Sequence, residues 1–353
     1  MNTVSAMRPG VYASYRVIGG QSGKGSAIGV IAASAQGAVM TVKQFFHMTE
    51  VYAEYGGQQE NIMTAMAKLL FAGGAGSVYC VSVGSAPSQE DYISGYRLLD
   101  AMSEITAVVC DTACPSIQKE LAGYVAESAG QSRERIVYFG VPHDHTPAQI
   151  AQTAKEINCE RVCLLAPAVA YEQGGISSGA YLAAAACAQI TSKSDPAANL
   201  NLLELEGEFR FPAPYSEDEI TQLLSAGVTV AEQTGGAAQI IRAVTTKTCE
   251  GGEQDSTLRE LSTVRIIDDV VPALRNLLRD RLRGAKNNAA TRDAIRTQVA
   301  CELEKKHSAG IIDGFRPPVV YPKADDPTVC MVEVGFDVVY GMHRIELVTY
   351  ITV

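Results

Sequence analysis

Three continuous apolar runs constrain this chain more than any other feature: ITAVVC at Ile105–Cys110, RIVYFGV at 135–141 and RVCLLA at 161–166. None alternates apolar with polar residues, as a strand does when one face meets water. Runs of this kind are buried on both faces, as strands are in a parallel sheet covered by helices above and below. The spacers between them, 116–129 and 147–157, repeat apolar residues at the helical period. The alternation begins upstream. AIGVIA at 27–32 is a short apolar run, and Thr49 is positioned to cap a helix over 50–55 that Gly56-Gly57 stops. A helix over 61–71 ends at Gly73-Gly74, a strand follows at 77–83, and Ser88 caps a helix presenting Tyr92, Ile93, Tyr96 and Leu99 on one face. This order predicts an α/β core with a parallel sheet and helices on both sides.

Beyond residue 170 the pattern changes. An Ala-rich helix over 178–190 suits close packing under a sheet, and 195–214, with three prolines, reads as irregular. Ser216-Glu217-Asp218-Glu219 is a capping box opening a helix that Gly227 closes, and a strand is expected at 239–245. Two helices rich in Arg and Lys follow, over 264–283 and 291–307. The last stretch, 328–353, alternates loosely and predicts a β-hairpin with Gly341 in its turn. The first 22 residues hold a strand-like stretch at 11–18 and then GGQSGKG, a flexible hinge. Three regions result: an arm and hinge over 1–22, an α/β core over 23–250, and a smaller α+β C-terminal domain over 251–353 ending in the hairpin arm. A strand at each end with no sheet of its own points to pairing between subunits. The strand residues are Val11, Tyr12, Tyr15 and Val17 at one end, and Val332, Val334, Phe336, Val338, Ile345, Leu347 and Tyr350 at the other. Gly19, Gly20, Gly23 and Gly25 supply the hinge.

Composition removes several functions. The chain has 353 residues, with 29 Lys plus Arg against 39 Asp plus Glu, a net charge of −10. Nothing there neutralises phosphates over a wide surface, so direct nucleic-acid binding is not expected. No apolar run reaches bilayer length, and the opening MNTVSAMRPGVY lacks an apolar signal segment, so neither membrane insertion nor secretion is expected. Nine Cys, mostly inside apolar runs and without CxxC spacing, read as reduced structural thiols, with no zinc site. IGGQSGKGS at 18–26 imitates a phosphate loop but has Ile18 where the first Gly is required and Gly25 where the hydroxyl belongs. His143-Asp144-His145 is the one His/carboxylate cluster, at the carboxyl end of a strand where α/β active sites lie, yet Pro142 and Pro147 bracket it as a polar loop. Ser177 and Ser178 read as helix caps, and no GxSxG elbow occurs. No catalytic, cofactor-binding or metal residue is assigned. The RNLLRDRLR stretch (275–283) reads as a solvated or subunit-facing polar face.

The residues resemble those of the tail sheath proteins of contractile phage tails and related injection systems. Arg8-Pro9-Gly10-Val11-Tyr12 is like the PGVY opening of sheath arms, and VKQFFHMTEVYAEYGG (42–57) is like the family's strand and capped helix. AKLLFAGGAGSVYCVSV (67–83) and SGAYLA (178–183) are weaker matches. LLSAGVTVAEQTGGAAQIIRAVTT (223–246) with LRELSTVRIIDDV (258–270) is the specific part. Ala72 departs from the family's Asn in the turn, Ser82 stands where many members carry Arg, and there is no room for the extra β-rich domain that many sheaths insert. The resemblance implies a subtilisin-like core without a protease triad. It also implies hexameric rings stacked helically around a tail tube, joined by the terminal arms, with baseplate and tail terminator proteins as further partners. The expected place is the virion tail, assembled in the bacterial host cytoplasm. Two alternatives stay open: an α/β hydrolase-like enzyme using His143–His145, and a ring-forming scaffold that does not contract.

Overall fold

The computed structural model describes residues 26–57, 61–171, 178–254, 257–282, 285–347 and 349. The chain opens with β1 (Ala27–Ala32), β2 (Val42–Phe45), α1 (Met48–Tyr55), α2 (Ile62–Ala72) and β3 (Ser77–Ser82). Next come α3 (Gln89–Asp100), β4 (Ile105–Cys110), α4 (Pro115–Gly130), β5 (Ile136–Gly140), α5 (Pro147–Ile157) and β6 (Val162–Ala166). The middle holds β7 (Ala170–Tyr171), α6 (Gly179–Thr191), β8 (Leu203–Leu205), β9 (Phe209–Arg210) and α7 (Glu217–Ser225). Then follow β10 (Val228–Thr234), β11 (Ala237–Arg242), β12 (Cys249–Glu250) and β13 (Glu253–Gln254). The chain finishes with α8 (Leu261–Leu282), α9 (Ala289–Ser308), β14 (Ile312–Pro322) and β15 (Cys330–Val338).

Nine strands form one sheet in the order β2-β3-β1-β4-β5-β6-β10-β11-β8. The six from β3 to β10 run parallel, and antiparallel pairing begins only at the margins, at β2 on one side and at β11 and β8 on the other. The apolar runs are its centre: every residue of β3, β5 and β6 is buried. One face packs on α1, α2 and α6, the other on α3, α4, α5 and α7. The predicted α/β core is this structure.

α6 is the helix that composition singled out. Ten of its thirteen residues are buried, six of them Ala, and short side chains let it lie against β4, β5 and β6 on one side and α2 on the other. Its first residue, Gly179, abuts Gly140 at the end of β5 so closely that a Cβ on either would overlap the other's backbone. Both positions need glycine.

Some boundaries differ from expectation. α1 starts before Thr49, because the Glu50 carboxylate accepts from the Phe46 and His47 amides and begins the helix at Met48. The stretch 195–214 is not wholly irregular, since it contains β8 and β9.

The largest correction concerns the C-terminal hairpin. It is not 328–353 turning at Gly341: β15 pairs antiparallel with the preceding strand β14, Val320 opposite Val332 and Phe315 opposite Phe336. The turn falls at 323–329, where Asp326 accepts from the Thr328 amide and hydroxyl, a tighter turn signal than a lone Gly. Val332, Val334, Phe336 and Val338 point to one side and lean on the apolar cluster of α8 and α9, built on Ile266, Val270, Val299, Leu303 and Ile312. Glu333 and Asp337 alternate to the exposed side.

Candidate assembly surfaces

At the carboxyl end of the sheet, where an active site would stand, the polar groups are used locally. Ser178 Oγ accepts from the Ala180 amide (3.2 Å) as the cap of α6, and Ser34 Oγ accepts from Asn61 Nδ2 (2.6 Å). His143 and Asp144 are exposed on the turn after β5, and His145 Nδ1 is buried without a hydrogen-bond partner. Among the described residues no group of three or more His, Cys, Asp or Glu is placed to hold a metal, and no helix is long and apolar enough to cross a membrane. Ser177 lies outside the described residues.

The opposite end of the sheet carries ion pairs that sequence reading missed. Arg161, just before β6, pairs with Asp268 of α8. Arg275 grips Glu134 with both Nη atoms, and Lys306 of α9 pairs with Asp269. Arg265 Nη2 donates to the Lys193 carbonyl (2.8 Å). Burial pushes the Asp268 carboxyl above its ordinary range while Arg161 pulls it back; the Arg275 hydrogen bonds hold Glu134 below its own. These contacts bolt α8 and α9 across the start of the sheet. Arg265, Asp268 and Asp269 belong to the VRIIDD motif, so the signal was present but its meaning lay in partners 37 to 107 residues away.

Thr245 and Thr246 of RAVTT, with Thr229 of β10, are bolts of the same kind. Thr229 Oγ1 donates to the Val244 carbonyl (2.9 Å) and accepts its amide, Thr246 Oγ1 donates to the Cys159 carbonyl (2.9 Å), and Thr245 Oγ1 to that of Leu258 (2.7 Å). All three are fully buried.

The uncovered apolar surface lies elsewhere. β14 and β15 form a two-stranded sheet, leaving the outer edge of each strand without a partner among the described residues. After β15 the chain returns to the core, where Asn199 and Asn201 both donate to the Met342 carbonyl (3.1 and 3.2 Å). Past that point Ile345 and Leu347 are 80% and 87% exposed. Of the expected arm residues, the structure thus puts Val332, Val334, Phe336 and Val338 against the subunit's own cluster and leaves Ile345 and Leu347 uncovered. Val11, Tyr12, Tyr15, Val17, Tyr350 and the hinge glycines Gly19, Gly20, Gly23 and Gly25 lie outside the described residues.

The class this fold defines is a doubly covered α/β sheet joined to a small two-stranded sheet whose outer edges are unpaired among the described residues. Residues 87–246 match the phage tail sheath protein central domain and 253–352 the phage tail sheath C-terminal domain, and the chain belongs to the phage tail sheath protein family. That is the family the motifs resemble. A tail sheath protein of Bacillus phage SP01 is 26% identical over 242 residues, 66% of this chain and 40% of the relative, so the match spans well under half of that protein. The fold is shared with the contracted sheath of an extracellular contractile injection system, PVC (TM-score 0.74, 14% identity, 99% of each chain). It is shared also with the contracted helical sheath of the anti-feeding prophage (0.73, 13% identity, 98% and 99%). A sheath tail protein of Desulfitobacterium hafniense is similar as well (0.72, 11% identity, 94% and 97%).

Proposed function

We propose that this protein polymerises as hexameric rings stacked helically around a tail tube, and that the polymer contracts to drive the tube through a target cell envelope. The observation that carries the reading is the pair of open edges on β14–β15 beside a tail with uncovered apolar side chains. The ribbon is supported on one face by α8 and α9, but its two open edges invite another strand. Strands from neighbouring copies, at 11–18 and 344–353, would extend that sheet through main-chain hydrogen bonds. Val332, Val334, Phe336 and Val338 would then lie on the shared sheet. The links of such a mesh bend while the cores rotate, with Gly19, Gly20, Gly23 and Gly25 as the hinge, and contraction exchanges one set of core contacts for a lower-energy set.

The division into an arm over 1–22, a core over 23–250 and a C-terminal domain over 251–353 belongs to this proposal; the separate apolar cluster under α8, α9 and β14 supports it. So do the further partners, a tail tube, a baseplate and a tail terminator, and assembly in the host cytoplasm before the sheath becomes part of a phage or phage-like tail. Deleting residues 1–20 tests the mesh. The truncated chain is expected to stay folded and soluble with little change in Tm, and to form no tubes by negative-stain electron microscopy. Tubes of normal width from the truncated chain would refute the arm exchange.

A further inference from the structure

The segment that leaves β15 is anchored by polar atoms, and exposed apolar side chains stand on both sides of His343, Tyr340 and Met342 before it and Ile345 and Leu347 after it. Met342 offers its carbonyl to Asn199 Nδ2 and Asn201 Nδ2. The His343 ring follows into a polar slot: Nδ1 lies 2.8 Å from Asn201 Nδ2, and Nε2 lies 3.2 Å from Arg242 Nη2 and 3.7 Å from Glu260 Oε2. Arg242 and Glu260 are themselves paired, and Asn199 Oδ1 is fixed by the Asn201 amide (3.0 Å), so the walls of the slot are tied to each other by contacts that do not involve the tail. Gly341 is the closest approach: a Cβ there would meet Asn199 Oδ1 at 2.9 Å. That explains the glycine, which the hairpin reading had put in a turn. From Arg344 the chain alternates. Arg344 and Glu346 pair with each other (2.9 Å), and Ile345 and Leu347 between and after them are uncovered.

We infer that Asn199, Asn201, Arg242 and Glu260 form a clamp on residues 341–343, which fixes the exit of the C-terminal segment and presents the chain from 344 to 347 as a strand to a second copy of this chain. The inference rests on the arm reading above and names the device that makes the arm usable. A segment free from the end of β15 would lose the freedom of every residue when it pairs; one held at His343 begins ordered, with only its last residues left to fix. A second copy is the occupant because the same chain carries the complementary feature, a β14–β15 sheet with two open edges. Arg242 ends β11, Asn199 and Asn201 sit in the loop before β8, and Glu260 immediately precedes α8, so the clamp stands at the far margin of the nine-stranded sheet and holds the tail through residues outside β14 and β15.

Three variants of the full chain test this. His343→Ala empties the slot from the tail side and leaves the core intact; Asn199→Ala with Asn201→Ala removes it from the core side; a stop after His343 removes the arm. Losing two or three such hydrogen bonds raises the concentration at which tubes first appear by about tenfold. Both clamp variants are expected to show that rise, with unchanged circular dichroism and faster amide exchange at 340–349. The stop variant is expected to form no tubes. Clamp variants that assemble at the wild-type concentration overturn the clamp while leaving the arm reading standing. Normal tubes from the stop variant overturn the arm reading, and with it the clamp's part in assembly. Unchanged exchange at 340–349 in His343→Ala shows that no clamp holds the tail.

Discussion

Asp111, at the end of β4, is a carboxylate kept inside the fold: its Oδ2 accepts from the Ala33 amide and its Oδ1 from the Tyr92 hydroxyl, both at 2.8 Å. Burial is the larger influence and pushes its pKa up to about 6 from 3.8. The folded protein therefore holds this proton more tightly than the unfolded chain. Its contribution is fully present below pH 3.8 and is lost as pH rises through 6, by no more than about 3 kcal/mol. Denaturation in urea across pH 4 to 7 should show that decline in the wild type and lose it in Asp111→Asn; an identical slope in both would assign the proton elsewhere. Gly140 and Gly179 allow a sharper test. A methyl group on either must displace backbone, so Gly140→Ala is expected to cost about 3 kcal/mol or more, or to leave the chain insoluble. The His143 turn is the opposite case. Replacing His143, Asp144 and His145 together with Ala should change neither Tm nor tube formation, and loss of a measurable hydrolytic activity in that variant would point to an enzyme.

Among the elements, α8 has the most to do, because it both fills the small apolar cluster and carries the ions that meet the sheet. Arg161 is 8% exposed, so Asp268→Ala leaves an almost buried guanidinium unpaired and should cost about 3–5 kcal/mol, read as a shift in the urea midpoint. Arg161→Met with Asp268→Leu should recover most of it. If the double variant is as unstable as the single, packing rather than charge is what the pair supplies. α6 is limited by size instead. Ala184 is fully buried, and Ala184→Leu, adding three heavy atoms between α6 and its neighbours, should cost about 1–3 kcal/mol in the same measurement. The elements themselves were largely legible. Buried strands announce themselves by unbroken apolar runs, and caps such as Ser88, Ser178 and Ser216 act within three residues of their own position.

At the scale of the whole molecule, removing the last residues and removing the first are expected to have the same outcome, a folded subunit that does not polymerise. Size-exclusion chromatography and calorimetry distinguish this from unfolding, and a large drop in Tm would return the arms to their own core. How the two ends relate to the body was the least legible part. The alternation of 328–353 fitted a hairpin about Gly341 as well as any other pairing, since period two fixes which side chains share a face but not which strand lies alongside. Contact with α9 and the turn at Asp326 decided for β14. The margins of the large sheet were hidden for the same reason: β2, β11 and β8 are antiparallel, and nothing in strands of three to six residues states direction. By itself the sequence determined the α/β class, the two-sided core, the buried Ala-rich helix and the family, because these rest on local periodicity and on motifs that survive in order along the chain. The tertiary structure alone decided the partners of Arg161, Arg242, Asp268 and His343 and the purpose of Gly341, because a charge or a glycine acquires its role from residues brought beside it by folding, tens to more than a hundred positions away.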